Sequence, residues 1–273
     1  MFPVTENVMV MSPYQVGSLR IVLAGLVMLP FALKHIKQLK RNNILLLLLV
    51  GVSGNLIPAT LFTIAETEID SSLAGMLNMG TSFFVVILGI VIFKASPSKL
   101  QYLGMLLGAT GLYLVLRTQI KFDGNQLGFA LLILLATLFY ATSLITIKFK
   151  LQHLQPIVIT SLAFFLILGP ALLASFLFDS ISPIIYQPDG LKAFGYLTIL
   201  AVIGTALAVF LFNSLVSISS HIFATGVTYL MPVVAIFAGV LDGDEFKFAN
   251  VPWIIMIISG VYLLNQGKKK VAK

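Results

Sequence analysis

Apolar runs of about 17–25 residues, each long enough to cross a bilayer, recur along this chain between short polar breaks. They fall at roughly 14–33, 43–65, 71–93, 98–116, 126–147, 155–177, 192–215, 221–241 and 250–266, which makes nine full spans. The chain has 273 residues and is 59% hydrophobic but only 10% charged, whereas a soluble domain carries about 25% charged residues. So little polar surface cannot cover a water-soluble globule. The fold class is therefore an all-α polytopic membrane protein, with the bilayer as its solvent. With no cysteine, disulfides and thiolate metal sites are excluded. Three scattered histidines offer no metal cluster, and no signal-peptide pattern precedes the first span.

The charges sort to two sides when the loops alternate. One side holds Lys34, Lys37, Lys40, Arg41, Lys94, Lys99, Lys148, Lys150, Lys268, Lys269, Lys270 and Lys273, with no acids. The other holds only Arg117, Lys121, Lys192 and Lys247 among Glu66, Glu68, Asp70, Asp123, Asp179, Asp189, Asp242, Asp244 and Glu245. This asymmetry is a positive-inside signal, and it makes the first side, with the C-terminus, cytoplasmic. It also accounts for the formal charge of +7 without nucleic acid. The loop "KHIKQLKRNN" and the tail "KKKVAK" read as orientation signals that contact anionic lipid.

The chain partly matches itself after a shift of 150 residues. "GVSGNLIPATLFTIAETEIDSSLAG" lies over "AVIGTALAVFLFNSLVSISSHIFAT", so that Val52, Gly54, Leu61, Phe62 and Ala74 fall on Val202, Gly204, Leu211, Phe212 and Ala224. A shift of 143 lays "SPYQVGSLR" over "QPIVITSLA". Five spans repeat in order, and because five is odd the second copy enters the membrane inverted. Inverted repeats of this kind commonly build transporters, with a site near the midplane. The expected division is a first repeat over 1–117, a connecting loop over 118–125, a second repeat over 126–267 and a basic cytoplasmic tail over 268–273. The second copy opens with a full helix before Pro156, whereas only twelve residues precede Pro13. The expectation is a ten-helix parent whose first helix is only partly present here, lacking its cytoplasmic half.

"FPVTENVMVMSPYQVGSLRIVLAGLVMLP", "LAGMLNMGTSFFVVILGIVIF", "YLGMLLGATGLYLVL" and "LMPVVAIFAGVLDGDEF" resemble the EamA-type proteins of the drug/metabolite transporter superfamily over almost the whole chain. The resemblance implies ten helices in two inverted five-helix repeats, and export or exchange of small organic solutes. The family often carries Gly-Glu at the ends of the fourth and ninth helices. Here the ninth offers Asp244 and Glu245, but the fourth has Lys94 and Ala95.

One charge stands inside a span. Arg20 lies seven residues past Pro13, where a central charge costs roughly 2.5–3.5 kcal/mol on insertion scales. Glu6 lies seven residues before Pro13, so a helical hairpin would set both about 10 Å below its tip. An intramembrane ion pair of Glu6 and Arg20 would satisfy both charges. The second copy has Phe149 and Ala163 in their places, so both charges vanish together. The alternatives are that Arg20 snorkels to the headgroups or touches substrate.

A stripe of Gly75, Asn78, Ser82, Val85 and Gly89 lies at helical spacing, and the 150 shift carries it onto Thr225, Thr228, Pro232, Ala235 and Gly239. Small residues of this kind serve helix packing, but Asn78 and Thr228 need polar partners in hydrocarbon. Asn55, Pro58 and Thr205 lie near the midplane, Tyr140 and Ser143 nearer the cytoplasm, and Asn213 is assigned to the outer end. Pro58 frees a backbone carbonyl and can kink its helix. The expected substrate pathway is Asn55, Asn78, Ser82, Tyr140, Ser143, Thr205, Asn213 and Thr228. Such a cavity, mostly apolar with scattered amides and hydroxyls, suits amphiphilic, neutral or zwitterionic solutes.

No P-loop, GxSxG or HExxH pattern occurs. Neither an enzyme nor a cofactor or metal is therefore expected. The leading expectation is a secondary transporter, an exporter by resemblance, for amino acids, related metabolites or amphiphilic drugs across the cytoplasmic membrane. An uptake permease or exchanger is the second reading, and a non-transporting structural protein the third. For proton coupling the titratable candidates are Glu6, Glu66 and His221. Small solutes and lipids are the expected partners; the sequence gives no oligomeric state.

Overall fold

The computed structural model describes residues 4–5, 8–94, 96–119, 125–218, 234, 237 and 248–266. These form helices joined by short turns, with a ladder of two two-residue strands before the first helix. Eight of the nine expected spans coincide with helices, seven of them long and apolar enough to cross a membrane and the last, Phe248–Leu264, shorter. The expected span 221–241 lies outside the described residues except for Val234 and Phe237. Large apolar side chains such as Leu45, Val91 and Phe176, exposed by 72%, 70% and 83%, suit a surface against hydrocarbon.

The start of the chain departs from expectation. Val4–Thr5 (β1) and Val8–Met9 (β2) pair antiparallel, Val4 with Met9 and Thr5 with Val8. A partial first helix is therefore not formed at these residues. β-branched Val and Thr fit a pleated strand better than a helix, and the repeat alignment carries no information about this local preference. The expected equal depth of Glu6 and Arg20 requires a helix before Pro13 and loses its basis. Glu6 itself lies outside the described residues, as do His221, Thr228, Asp244 and Glu245.

The remaining elements are α1 (Pro13–His35), α2 (Arg41–Gly51), a π-helical turn (Val52–Leu56), α3 (Ile57–Ala65), α4 (Ser71–Asn78), α5 (Gly80–Phe93), α6 (Lys99–Gln119) and α7 (Asn125–Lys150). They continue with α8 (Pro156–Leu177), the short α9 (Ser182–Tyr186), α10 (Gly190–Ala201), a second π turn (Val202–Leu207), α11 (Ala208–Ile218) and, after a 3-10 turn (Phe248–Asn250), α12 (Val251–Gln266). α5 ends on Lys94 in the left-handed conformation, with φ 50° and its N–H on the Gly89 carbonyl. Glycine takes that conformation freely, whereas here a lysine holds it.

The chain forms two compact units, and neither is one repeat. Unit 1 is Met1–Ile64 with Thr146–Ile218, and unit 2 is Ala65–Ile145 with Ser219–Lys273.

In unit 1, α1 lies antiparallel to α8, the helix onto which the 143 shift carries it. Ile21, Ala24, Phe164, Ile167 and Ala171 are fully buried in that seam. Ser12 and Gln15 form a capping box: Ser12 Oγ accepts from the Gln15 N–H at 3.3 Å, and Gln15 Oε1 accepts from the Ser12 N–H at 2.8 Å. Gln15 Nε2 then donates to the Phe178 and Asp179 carbonyls at 2.9 and 3.1 Å, which terminate α8 and otherwise lack helical donors. Gly51 of α2 lies so close to α8 that a Cβ there would stand 2.7 Å from the Ala163 carbonyl oxygen.

Unit 2 repeats the device. α6 lies antiparallel to α12, its counterpart under the 150 shift. Ser98 and Gln101 form the same box, at 2.9 and 3.3 Å, and Gln101 Nε2 donates to the Leu264 carbonyl at 3.2 Å. At the other end Thr118 Oγ1 donates to Asn250 Oδ1 at 2.7 Å.

Candidate functional site

Two π turns mark unit 1, and the sequence repeat places them over one another. In the first, the Ile57 N–H donates five residues back to the Val52 carbonyl. In the second, the Ala208 N–H donates to the Ile203 carbonyl. A π turn holds one more residue than an α turn, interrupts the regular ladder and is frequent at functional sites. Pro58 has no N–H and so contributes to the first irregularity. The second has Ala208 in the equivalent place, so proline is not the shared cause. The residues in common are Val52 with Val202 and Gly54 with Gly204, and each glycine is followed by a buried polar residue, Asn55 at 5% and Thr205 at 4% exposure.

Arg20 meets the second turn. Its Nε donates to Thr205 Oγ1 at 2.6 Å, and the Thr205 hydroxyl in turn donates to the Leu200 carbonyl at 3.1 Å. The guanidinium, although half-buried, is thus turned toward a buried hydroxyl on a facing helix. Among the described residues no carboxylate pairs with it. Asn55 has no hydrogen-bond partner among the described residues.

Arg20 and Asn55 lie at nearly one level. A Cβ on Gly17 would stand 3.3 Å from the Thr60 Cα, which fixes the register of α1 against α3. Arg20 is three residues along from Gly17 and Asn55 is five back from Thr60. At 1.5 Å per residue in antiparallel helices, the two differ by about 3 Å in height.

Asn213 belongs to the opposite end from the one expected. Its Nδ2 donates to Thr160 Oγ1 at 2.9 Å, in the buried interior. Thr160 is the fifth residue of α8, near the end that follows Lys150 in the chain and that the charge count makes cytoplasmic. The alternation of spans already implies this, because α11 ends where α8 begins. Interhelical bonds of this type are worth about 0.6 kcal/mol on average, with about 1.7 as a measured maximum. A double-mutant cycle of Asn213→Ala and Thr160→Val, read by thermal unfolding in detergent, is expected to give a coupling of that size; additive losses would show that the pair contributes nothing.

The other expected pathway residues lie in unit 2. Asn78, Ser82 and Tyr140 are half-buried and Ser143 is 6% exposed. The stripe of small residues does not follow one continuous helix. Met79 interrupts it, with i−3 bonds from Met79 to Met76 and from Ser82 to Met79 at 3.2 and 3.1 Å. Asn78 therefore ends α4 while Ser82 lies in α5, and Thr81 Oγ1 reaches Asn78 Oδ1 at 3.5 Å. Buried polar residues outside the expected set include Thr160, Ser53 on the Leu49 carbonyl at 2.6 Å, and the Ser18–Ser180 pair at 3.2 Å. The S-x-x-Q pattern at Ser12 and Ser98 is the sequence signal for the two glutamine clamps.

The EamA-like transporter family matches this chain over residues 4–117 and again over 127–266. The chain belongs to the EamA-like transporter family. It is thus an integral membrane transporter by family. A relative from Synechocystis sp., described as an uncharacterized transporter, is 26% identical over 93% of this chain and 82% of its own length. A solved crystal structure superposes with a TM-score of 0.62 over 95% of this chain and 90% of that one, at 14% identity. That likeness bears on the fold alone.

Proposed function

We propose that this EamA-like chain is a secondary transporter that exports small organic solutes such as amino acids, related metabolites or amphiphilic drugs across the cytoplasmic membrane. The observation that carries the reading is the pair of π turns at repeat-related positions, with buried Asn55 and Thr205 on them and Arg20 held by Thr205. Irregular, polar helix within a span is tolerated where it lines a cavity, and transporter sites are built that way. Two inverted five-helix repeats find support in the double family match and in the antiparallel packing of repeat-related helices, α1 with α8 and α6 with α12. In unit 1 the proposed pathway residues are Asn55, Thr205 and Asn213. Exporter direction rests on resemblance to the family. The basic C-terminal tail lies in the cytoplasm by the positive-inside distribution.

Purified protein in liposomes tests this. The expected result is saturable counterflow of at least one labelled amino acid or amphiphile, above that of empty liposomes. A protein that folds and reconstitutes but gives no counterflow across such a panel would favour the structural reading. For topology, a C-terminal green fluorescent protein fusion should fluoresce and an alkaline phosphatase fusion at the same point should be inactive.

A further inference from the structure

We infer that Arg20 reads a carboxylate on the transported solute, so that the preferred substrates are amino acids or other small organic acids. The inference rests on the transport reading above and names the substrate class of its site.

Three observations converge. First, Arg20 carries a charge inside an apolar run, where charges are costly and by default mark functional sites, and Ala163 stands in its place in the second copy. Second, its one bond among the described residues uses Nε, at 2.6 Å to Thr205 Oγ1. A guanidinium has five N–H donors, so the Nη1–Nη2 edge, with its four, has no protein partner among the described residues. Held at Nε, the plane is fixed and that edge is presented as a fork, which matches the two oxygens of a carboxylate. A snorkelling arginine would aim its head at the headgroups. This one is tied to a side chain only 4% exposed on a facing helix. Third, Asn55 stands at about the same height, 5% exposed and without a partner among the described residues. Its amide offers both a donor and an acceptor, which suits the ammonium or another polar group beside the acid.

The test uses the full chain with L-alanine, L-leucine, L-phenylalanine, L-lysine and L-glutamate, each beside its α-amide. Binding is read as the shift of the thermal unfolding midpoint in detergent, and flux in liposomes. The wild type is expected to bind at least one acid about tenfold more tightly than its amide, as loss of a charge-assisted bidentate contact implies. Arg20→Gln should bring that ratio to about one. Arg20→Lys should keep part of it, because a point charge remains without the fork. Thr205→Val, which frees Nε but leaves the charge, should lower the ratio by a smaller factor; it and Arg20→Lys decide the matter if Arg20→Gln fails to fold. Equal binding of acid and amide by the wild type, no acid bound at all, or an unchanged ratio in the variants overturns the inference. Amides or neutral amphiphiles that cross while acids do not would sink carboxylate recognition and leave transport standing. Acids that bind through Arg20 but never cross would do the reverse.

Discussion

Gly260→Val is expected to abolish the folded association of α6 with α12. A Cβ at Gly260 would stand 2.7 Å from both the Gly104 carbonyl oxygen and the Gly108 nitrogen, and 2.9 Å from the Gly108 Cα. The reverse approach is as close, since a Cβ on Gly104 would stand 2.6 Å from the Gly260 carbonyl oxygen and 2.9 Å from the Leu264 nitrogen. All of these are backbone atoms, so no side chain can rotate to make room. The helices must part, and the Gln101–Leu264 and Thr118–Asn250 bonds at the two ends of the seam part with them. Between helices in lipid there is no hydrophobic drive to compensate, because association rests on close packing and polar contacts. Overpacking of this kind costs about 3 kcal/mol, enough to remove most monodisperse protein. A Cβ at Gly195 would meet nothing within 4 Å. Gly195→Ala is therefore the control and should be neutral or, through helix propensity, slightly stabilising. A Gly260→Val protein with the wild-type yield and unfolding midpoint would show that the seam is not close-packed.

Deletion of Gly204 is expected to leave a folded protein with little transport. The second π turn is one residue longer than an α turn, so removing one residue restores the i−4 ladder without rotating α11 against α10. Thr205 then leaves its place opposite Arg20, and the Nε anchor is lost. Flux should fall by roughly a hundredfold, the cost of displacing a positioned group by about 1 Å. Deletion of Thr198, in regular α10, is the contrasting case. It turns everything that follows by about 100°, drives the buried face toward lipid, and should not yield folded protein. If both deletions behave alike, the π turn is no more than an incidental irregularity. Flux and detergent-solubilised yield, measured side by side, separate the two outcomes.

The span boundaries are legible in the sequence because hydropathy runs and charged breaks act through the bilayer, the strongest constraint on such a chain. Pro13 and Pro156 begin α1 and α8, and the break after Phe93 falls at Lys94, as the pattern implies. The π turns are not legible, since a single additional residue leaves a 25-residue apolar run looking the same. Pro58 points to one of them, but nothing equivalent flags Val202–Leu207. The sequence shows that Arg20 needs a partner, yet proximity along the chain points to the nearest acid. Thr205, 185 residues away, is visible only once α1 lies against the second π turn. The strand pairing of Val4–Thr5 with Val8–Met9 is masked by an alignment that treats those residues as helix.

The mixed composition of the units also governs how the chain can be made. α1 emerges early, but α8 and the second π turn emerge only after more than a hundred further residues. Between Arg20 and Thr205 a ribosome adding about 5–20 residues per second needs roughly ten to forty seconds. During that interval the guanidinium sits in a newly inserted helix without its hydroxyl anchor, and Gly25 of α1 has no Leu168 against it. Gly104 likewise waits for Gly260. The two units therefore close late and almost together, so nascent helices must be sheltered by lipid or by the insertion machinery until the last spans arrive. Slowing elongation in the second half should lengthen the window in which the first half is open to proteolysis.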